Sequence, residues 1–134
     1  MYTLKQVSNL PEILDRHLKW LRAEKGGEKA DLSNCDLRAE NFSDCNLSFA
    51  NLSESYLPYA DFTNARLIKT NFSKANLQRA KFTNANLSKA NLSEATLKNA
   101  NIRGAIFDDA KILETYNLPL PLLKIRNGQL KELL

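Results

Sequence analysis

The side chains best suited to catalysis or metal binding are few in this chain. The sequence contains one histidine, His17, and two cysteines, Cys35 and Cys45. A serine or cysteine nucleophile needs a neighbouring base, so any such pair would have to include His17. One histidine and two cysteines cannot supply the usual four ligands of structural zinc, and the four glycines form no phosphate-binding loop. The residue types therefore predict a protein that is not an enzyme and has no cofactor or metal site.

The element that must position His17 is a predicted helix over residues 9–25. Asn9 is a suitable N-cap, with Glu12 three residues later as in a capping box, and Gly26-Gly27 ends the helix. An apolar stripe at helical spacing, with Trp20 at its edge, runs along one face. Its members are Leu10, Ile13, Leu14, Leu18 and Leu21. His17 lies on or near this stripe, which favours a packed structural histidine over a catalytic one. Leu4 and Val7 could add a short turn before the helix.

A five-residue period follows the helix and runs from Ala30 to Glu114. Every fifth residue is large and apolar, such as Leu32 or Leu37, and a small residue stands two positions before it. Asn or Asp usually lies between the two. Neither a straight helix nor a flat strand buries such a column on one side, because five residues match neither period. A backbone that bends once per unit can bury it, provided that successive turns stack.

A second period of twenty residues indicates how many units complete one turn. Phe42, Phe62 and Phe82 recur at this spacing, as do serines from Ser33 to Ser93. Twenty residues are four units, which predicts a coil with four sides.

Units such as Ala75-Asn76-Leu77-Gln78-Arg79 match the A-(D/N)-L-x-x pattern. Seventeen consecutive units of this kind resemble the pentapeptide-repeat family, notably its cyanobacterial members. The resemblance implies an all-β solenoid, a right-handed quadrilateral β-helix of about four coils. At the usual spacing between strands the coils would stack to about 20 Å. The implied organisation is a helical cap over residues 1–29, repeats over 30–114 and a capping segment over 115–134.

The two ends of this tower are expected to be covered. The predicted helix would close the first coil over Leu32, Leu37, Phe42 and Leu47, although a partner-binding helix is the alternative. The segment after Thr115 is rich in leucine. Its prolines disfavour a continuous helix before residue 122, and Asn127-Gly128 could precede a short helix to the C-terminus. This segment is either a simple cap or the interface of a homodimer, since several families with this repeat pair through their C-terminal ends.

The charge of the chain is unevenly distributed. The net charge of +4 comes from residues 1–29 and 115–134, and the repeats are neutral. Between residues 30 and 65 six acids stand against Arg38 alone, and between 66 and 99 seven bases stand against Glu94 alone. This is either chance clustering on a solvated surface or a basis for electrostatic docking.

Departures from the repeat indicate three places to examine. Glu40 takes an inward position normally held by a small residue, so we expect it to be paired, with His17 or Arg22 in reach, or tipped outward. Exposed aromatic residues beside arginines are typical of protein interfaces. The first candidate interaction patch consists of Arg38, Tyr56, Tyr59 and Arg79, flanking Pro58. The second consists of Phe49, Arg66, Ile68, Lys69 and Lys89.

The expected location is the cytoplasm. The start of the sequence lacks the apolar segment of a signal peptide, and no apolar run reaches membrane-spanning length. Cys35 and Cys45 fill inward positions on opposite sides of the predicted coil, so we expect free thiols.

The leading functional hypothesis is a non-enzymatic scaffold that binds another protein, with a regulatory role as one option. One alternative is the DNA mimicry by which some family members act on gyrase, but that mechanism needs an acidic surface and these repeats are neutral. Another is nucleic-acid binding by the basic middle coils through Lys69, Lys74, Arg79 and Lys89, which the acidic coils oppose. A serine- and asparagine-rich side resembles ice-binding ladders only loosely.

Overall fold

The computed structural model describes residues 3–123, and its two strands and its longest helix lie near the N-terminus. Strand β1 spans Lys5–Gln6, helix α1 spans Leu10–Leu21, and strand β2 spans Cys35–Asp36. Strands β1 and β2 pair in parallel, with Lys5 opposite Cys35 and Gln6 opposite Asp36. Beyond β2 the chain is a succession of bends held together by single parallel bridges.

These bridges connect residues that are twenty positions apart, and they fall into four columns. We number the sides of the coil by the first residue of each column. The columns are Asp31, Asn51, Asn71, Asn91 and Lys111 on side 1; Asp36, Tyr56, Asn76, Thr96 and Tyr116 on side 2; Asn41, Asp61, Lys81 and Asn101 on side 3; and Asn46, Arg66, Asn86 and Ile106 on side 4. Four units therefore complete one turn, as the period of twenty predicts.

The bend between units is a tight turn with a left-handed residue. The N–H of Ala50 donates to the carbonyl of Leu47 at 3.0 Å, and the equivalent bond recurs along the coil. From Asn34 to Asp109, every fifth residue has a positive φ of 57–73°. A hydrogen bond across three residues, with positive φ at the third position of the turn, is the signature of a type II turn. The chain thus changes direction once per unit.

The core is the column of large residues inside the coil, sealed by the small ones. Central residues from Leu32 to Leu97 are fully buried, as are most of the alanines two positions before them. On side 3, Phe62 stacks between Phe42 and Phe82, with ring centroids 5.0 and 5.1 Å away and interplanar angles of 9° and 3°. The Phe72 ring meets Phe62 edge-on at 5.5 Å. The period-twenty phenylalanines are therefore one continuous stack.

The N-terminal segment differs from its sequence-based prediction in three respects. Helix α1 ends at Leu21, four residues short of the predicted end, and the side chain of Asn9 makes no capping hydrogen bond. Strand β1 replaces the expected turn before the helix, because its backbone pairs with the open edge of β2. Gly27 then lets the chain pass close to the helix, since a Cβ there would lie 2.6 Å from the Cα of Trp20.

Side chains of this segment pack onto the first coil. Val7, Leu10, Ile13 and Leu14 are partly buried against the apolar core. Residues 3–123 include no helix that is long and apolar enough to cross a membrane.

The backbone pairing at the other end continues past Glu114. Tyr116 bridges Thr96, and the hydroxyl of Thr115 donates to the carbonyl of Leu92 at 2.7 Å. A helical turn begins at residue 120, where the prolines were expected to disfavour a continuous helix. Pro121 falls in the first turn, where a missing N–H breaks no intrahelical bond. The predicted short helix after Asn127-Gly128 and the remainder of the proposed dimer interface, residues 124–134, lie outside the described residues.

Candidate interaction surfaces

The Asn or Asp before each large residue has a local structural role that the sequence-based analysis missed. The side-chain oxygen of Asn71 accepts the backbone N–H of Ser73 at 2.9 Å, which is an Asx turn. At Asp61 the carboxylate also accepts the hydroxyl of Thr63 at 2.6 Å. These hydrogen bonds, the hydroxyl first, hold the pKa of Asp61 below its usual range. The polar column therefore shapes the turns, and its composition alone implies no binding site.

His17 is fully buried and joins the helix to the coil through both ring nitrogens. The N–H of Ala30 donates to Nδ1 at 3.0 Å, and Nε2 lies 2.9 Å from the carbonyl oxygen of Ser48. Since Nδ1 is the acceptor, the ring is neutral with its proton on Nε2. Burial is the main cause that lowers the pKa of His17, opposed by its hydrogen bond with Ser48 and assisted by the nearby charge of Lys29. The predicted structural role of His17 is what this geometry shows.

Comparison with later coils explains why a histidine suits this joint. The N–H of Phe49 donates to the carbonyl of Ile68 nineteen residues on. By the same spacing of nineteen residues, the N–H of Lys29 would donate to the carbonyl of Ser48. Nε2 of His17 makes that hydrogen bond instead. The N–H of Ala30, which would otherwise bond a carbonyl three residues before it, donates to Nδ1. The imidazole thus supplies the two hydrogen bonds that a preceding turn of coil would have made.

The other unusual inward residues show no arrangement for catalysis. Glu40 is half-buried and makes no ion pair within residues 3–123 with either expected partner, Arg22 or His17, and both nitrogens of His17 are engaged elsewhere. Cys35 and Cys45 are free thiols on sides 2 and 4, and burial raises the pKa of each. In the described part of the chain, no three His, Cys, Asp or Glu side chains are placed to hold a metal ion.

On side 2, the first candidate patch forms two stacked cation–aromatic pairs, which we call the tyrosine–arginine surface. The Arg79 guanidinium lies 5.8 Å from the ring centroid of Tyr59, and that of Arg38 lies 5.5 Å from the ring of Tyr56. Arg38 is also fixed by Asp36 through contacts of 2.7 and 3.2 Å, which hold the pKa of that carboxyl below its usual range. All four members of the patch are therefore brought together in pairs.

On side 4, the second candidate patch is extended by the helix. The Lys69 amine lies 5.6 Å from the ring centroid of Phe49. Arg66, Ile68 and Lys89 share this side of the coil. The sequence-based patch omitted Trp20, whose ring meets Phe49 edge-on at 6.2 Å. The contact depends on packing of the helix on the first coil, which the sequence pattern does not give. The sequence signal was that both residues are aromatic and lie at outward or edge positions.

Phe49 and Tyr59 are also unusual in their backbone conformation. Both occupy the left-handed position of a turn, with φ of 69° and 62°. This conformation costs a non-glycine residue about 1–2 kcal/mol, and bulky side chains are uncommon there. The remaining described turns of the repeats place small, polar or charged residues at this position. Two aromatic rings are therefore held outward at a conformational cost, each with a cation from the next coil over its face.

Comparison with known proteins identifies the family to which this architecture belongs. The model for pentapeptide repeats matches eight copies over residues 28–57, 45–84 and 75–112. The chain is thus a β-helical solenoid of stacked five-residue units. It belongs to the pentapeptide-repeat family. No curated protein matches it significantly.

Two solved structures show the likeness in three dimensions. Rfr23, a pentapeptide repeat protein from the cyanobacterium Cyanothece 51142, is 36% identical over 65% of this chain, with a TM-score of 0.61. That match covers 57% of Rfr23, so the chain spans a little over half of its length. The pentapeptide repeat protein alr5209 from Nostoc PCC 7120 is 24% identical, with 91% and 96% of the two chains covered and a TM-score of 0.71. The second likeness shows the fold alone.

Proposed function

We propose that this chain is a rigid, non-enzymatic binding module whose right-handed quadrilateral β-helix, closed by its terminal segments, presents side chains to another protein. Proteins of this family are generally structural or interaction proteins. The proposed setting is the cytoplasm, and pairing of two chains through the C-terminal segment is compatible with the proposal. Rigidity matters because a preformed surface loses little conformational entropy when it binds.

The observation that carries the proposal is the Tyr59 ring, which is 58% exposed. It sits in a left-handed turn with the Arg79 guanidinium over one face. Packing in the core cannot explain a ring that points outward at a conformational cost. Tyrosine and arginine are enriched among the residues that dominate binding energy in protein interfaces. The Arg38–Tyr56 pair on the same side enlarges the surface around this anchor.

The test is quantitative affinity purification from the native organism with wild-type protein and the double variant Tyr59→Asn/Arg79→Asn. Asparagine is chosen because this chain itself uses it at turns such as Asn64 and Asn84, so the coil should be preserved. The matched control is Lys74→Asn/Glu94→Asn, which removes an exposed ion pair of 4.0 Å from corners of side 1.

We expect a protein that wild type and the control retain and that the Tyr59/Arg79 variant loses. Equal recovery by all three chains, with unchanged thermal unfolding, would assign the interaction elsewhere. The charge distribution favours neither DNA mimicry nor a nucleic-acid groove, since the acids and bases of the repeats balance.

A further inference from the structure

The junction between helix α1 and the first coil carries a strip of exposed aromatic and basic side chains. Trp20 is 39% exposed and Phe49 is 43% exposed, and their rings are in edge contact. The buried His17 ring stacks on Trp20, with 5.6 Å between the two ring centroids, and so restrains the position of the indole. The two exposed rings therefore form one apolar surface that crosses from the helix to the repeats.

Amines are placed over both rings. Lys29 lies 5.9 Å from the centroid of Trp20, and Lys69 lies 5.6 Å from that of Phe49. Arg66 and Lys89 add two more cations on side 4. The ion pairs found within residues 3–123 are Lys19 with Asp15, Arg38 with Asp36 and Lys74 with Glu94. None of the four cations named above takes part in these ion pairs.

The geometry of the rings selects among anionic partners. Lys29 and Lys69 lie over the faces of these rings, and His17 also stacks on Trp20, so part of the face area is already covered. Aromatic edges carry partial positive charge, which suits a carboxylate, whereas nucleobases stack on faces. Asp108 and Asp109 follow on the same side of the last coil and would oppose a phosphate backbone that continues along it. The strip is therefore short, basic and apolar, and it suits a compact peptide segment better than a long nucleic-acid strand.

From these contacts we propose that the Trp20 strip (Trp20, Lys29, Phe49, Arg66, Lys69 and Lys89) is a docking site for an acidic peptide segment with one aromatic or aliphatic anchor. The anchor packs against the exposed parts of the Trp20 and Phe49 rings, and flanking carboxylates pair with Lys29 and Lys69. This site lies on a different side from the tyrosine–arginine surface and does not depend on it.

The sole tryptophan of the chain lies in the strip, so intrinsic fluorescence reports binding directly. The probe is a short synthetic peptide in which one phenylalanine is flanked by glutamates. We expect it to shift the emission of Trp20, with an affinity that falls as salt is added. Phe49→Asn should weaken binding by about tenfold, as expected for loss of a central aromatic contact. Lys69→Asn should weaken it and reduce the salt dependence.

Three controls distinguish docking at this strip from general attraction between opposite charges. Lys74→Asn should bind the peptide as wild type does, since it removes one exposed cation from side 1 and leaves side 4 unaltered. A peptide with serine in place of phenylalanine tests the anchor, and one with lysines in place of glutamates tests the charge. Absence of a fluorescence shift, equal affinity for the serine or lysine peptide, or unaltered affinity of Phe49→Asn would overturn the proposal. Binding only to anionic vesicles or to oligothymidine would also overturn it and assign a membrane or nucleic-acid surface.

Discussion

At the scale of single residues, His17 illustrates how one side chain can end a repeating structure. A solenoid that stops leaves backbone groups of its first coil without the partners that the next coil would supply. The imidazole of His17 supplies the missing partners. Its Nε2 donates to the Ser48 carbonyl, and its Nδ1 accepts the Ala30 N–H. Its two nitrogens meet both requirements only while the ring is neutral, because protonation removes the acceptor.

Folding stability should therefore fall as the pH is lowered through the titration of His17. The pKa of His17 in the fold is lowered from its usual value of 6.5, so the unfolded chain binds its proton first. The contribution of the neutral ring is present above pH 6.5 and is lost as the pH falls from there toward the lowered value. The loss is about 1.4 kcal/mol for each pH unit that separates the two pKa values. Denaturant unfolding measured between about pH 5 and 7 checks this, in a range where ordinary carboxyl groups stay ionised.

The matched variant for this measurement is His17→Leu. Because it leaves the Ser48 carbonyl and the Ala30 N–H without the imidazole, it should cost about 1–3 kcal/mol at neutral pH. It should also remove the pH dependence, since the chain has no other histidine. An equal slope in both proteins would assign the titration to another group.

At the scale of elements, side 3 is stabilised by a stack of rings. Phe62 contacts Phe42 and Phe82 face to face and Phe72 edge-on. Aromatic pairs of this kind add about 0.5–1.5 kcal/mol beyond the area that they bury. The stack continues through three successive coils, so it couples units that are not neighbours in sequence.

Phe62→Leu should consequently destabilise the protein by about 1–3 kcal/mol, through lost ring contacts and incomplete filling of the core. The control is Phe107→Leu in the last coil, where the ring is buried but stacks on no other ring of the described residues. We expect a smaller loss there. Urea unfolding of the two variants compares them, and equal losses would show that the stack adds nothing beyond burial.

At the scale of the whole molecule, the core is not equally closed along its axis. The central residues from Leu32 to Leu97 are fully buried, whereas Ala100, Ile102 and Ala105 of the last coil are only partly buried. Stability in a solenoid is roughly a sum of local terms and contacts between adjacent coils, so a less buried coil opens more readily.

Native-state hydrogen exchange should reveal this gradient. Amides of the middle coils, such as those of Leu57, Leu67 and Leu77, should be the most protected. The amides of Ala100, Ala105 and Ile106 should exchange faster, although their backbone hydrogen bonds are similar in length to those of the middle coils. Uniform protection along the coil would indicate that the whole tower opens in one cooperative step.

The four-sided coil could be predicted from the sequence because its cause is local. Each unit carries its own large residue, small residue and turn-forming side chain, so the five-residue period of the sequence is also the period of the structure. The same regularity predicted where Tyr59 and Arg79 would lie one coil apart. The bounds of helix α1 were less accurate, because the predicted end was set by Gly26-Gly27, whereas the chain already leaves the helix at Ala23, which has a left-handed φ of 54°.

What the sequence by itself determined was the repeat, its inward and outward positions, and the near absence of catalytic groups. Only the tertiary structure decided how the N-terminal segment meets the coil. It paired β1 with β2, placed both nitrogens of His17 on the first coil, and brought Trp20 against Phe49. The physical reason is that these contacts join residues that belong to no common period. Their partners depend on how a helix packs onto an open end, which no local spacing encodes.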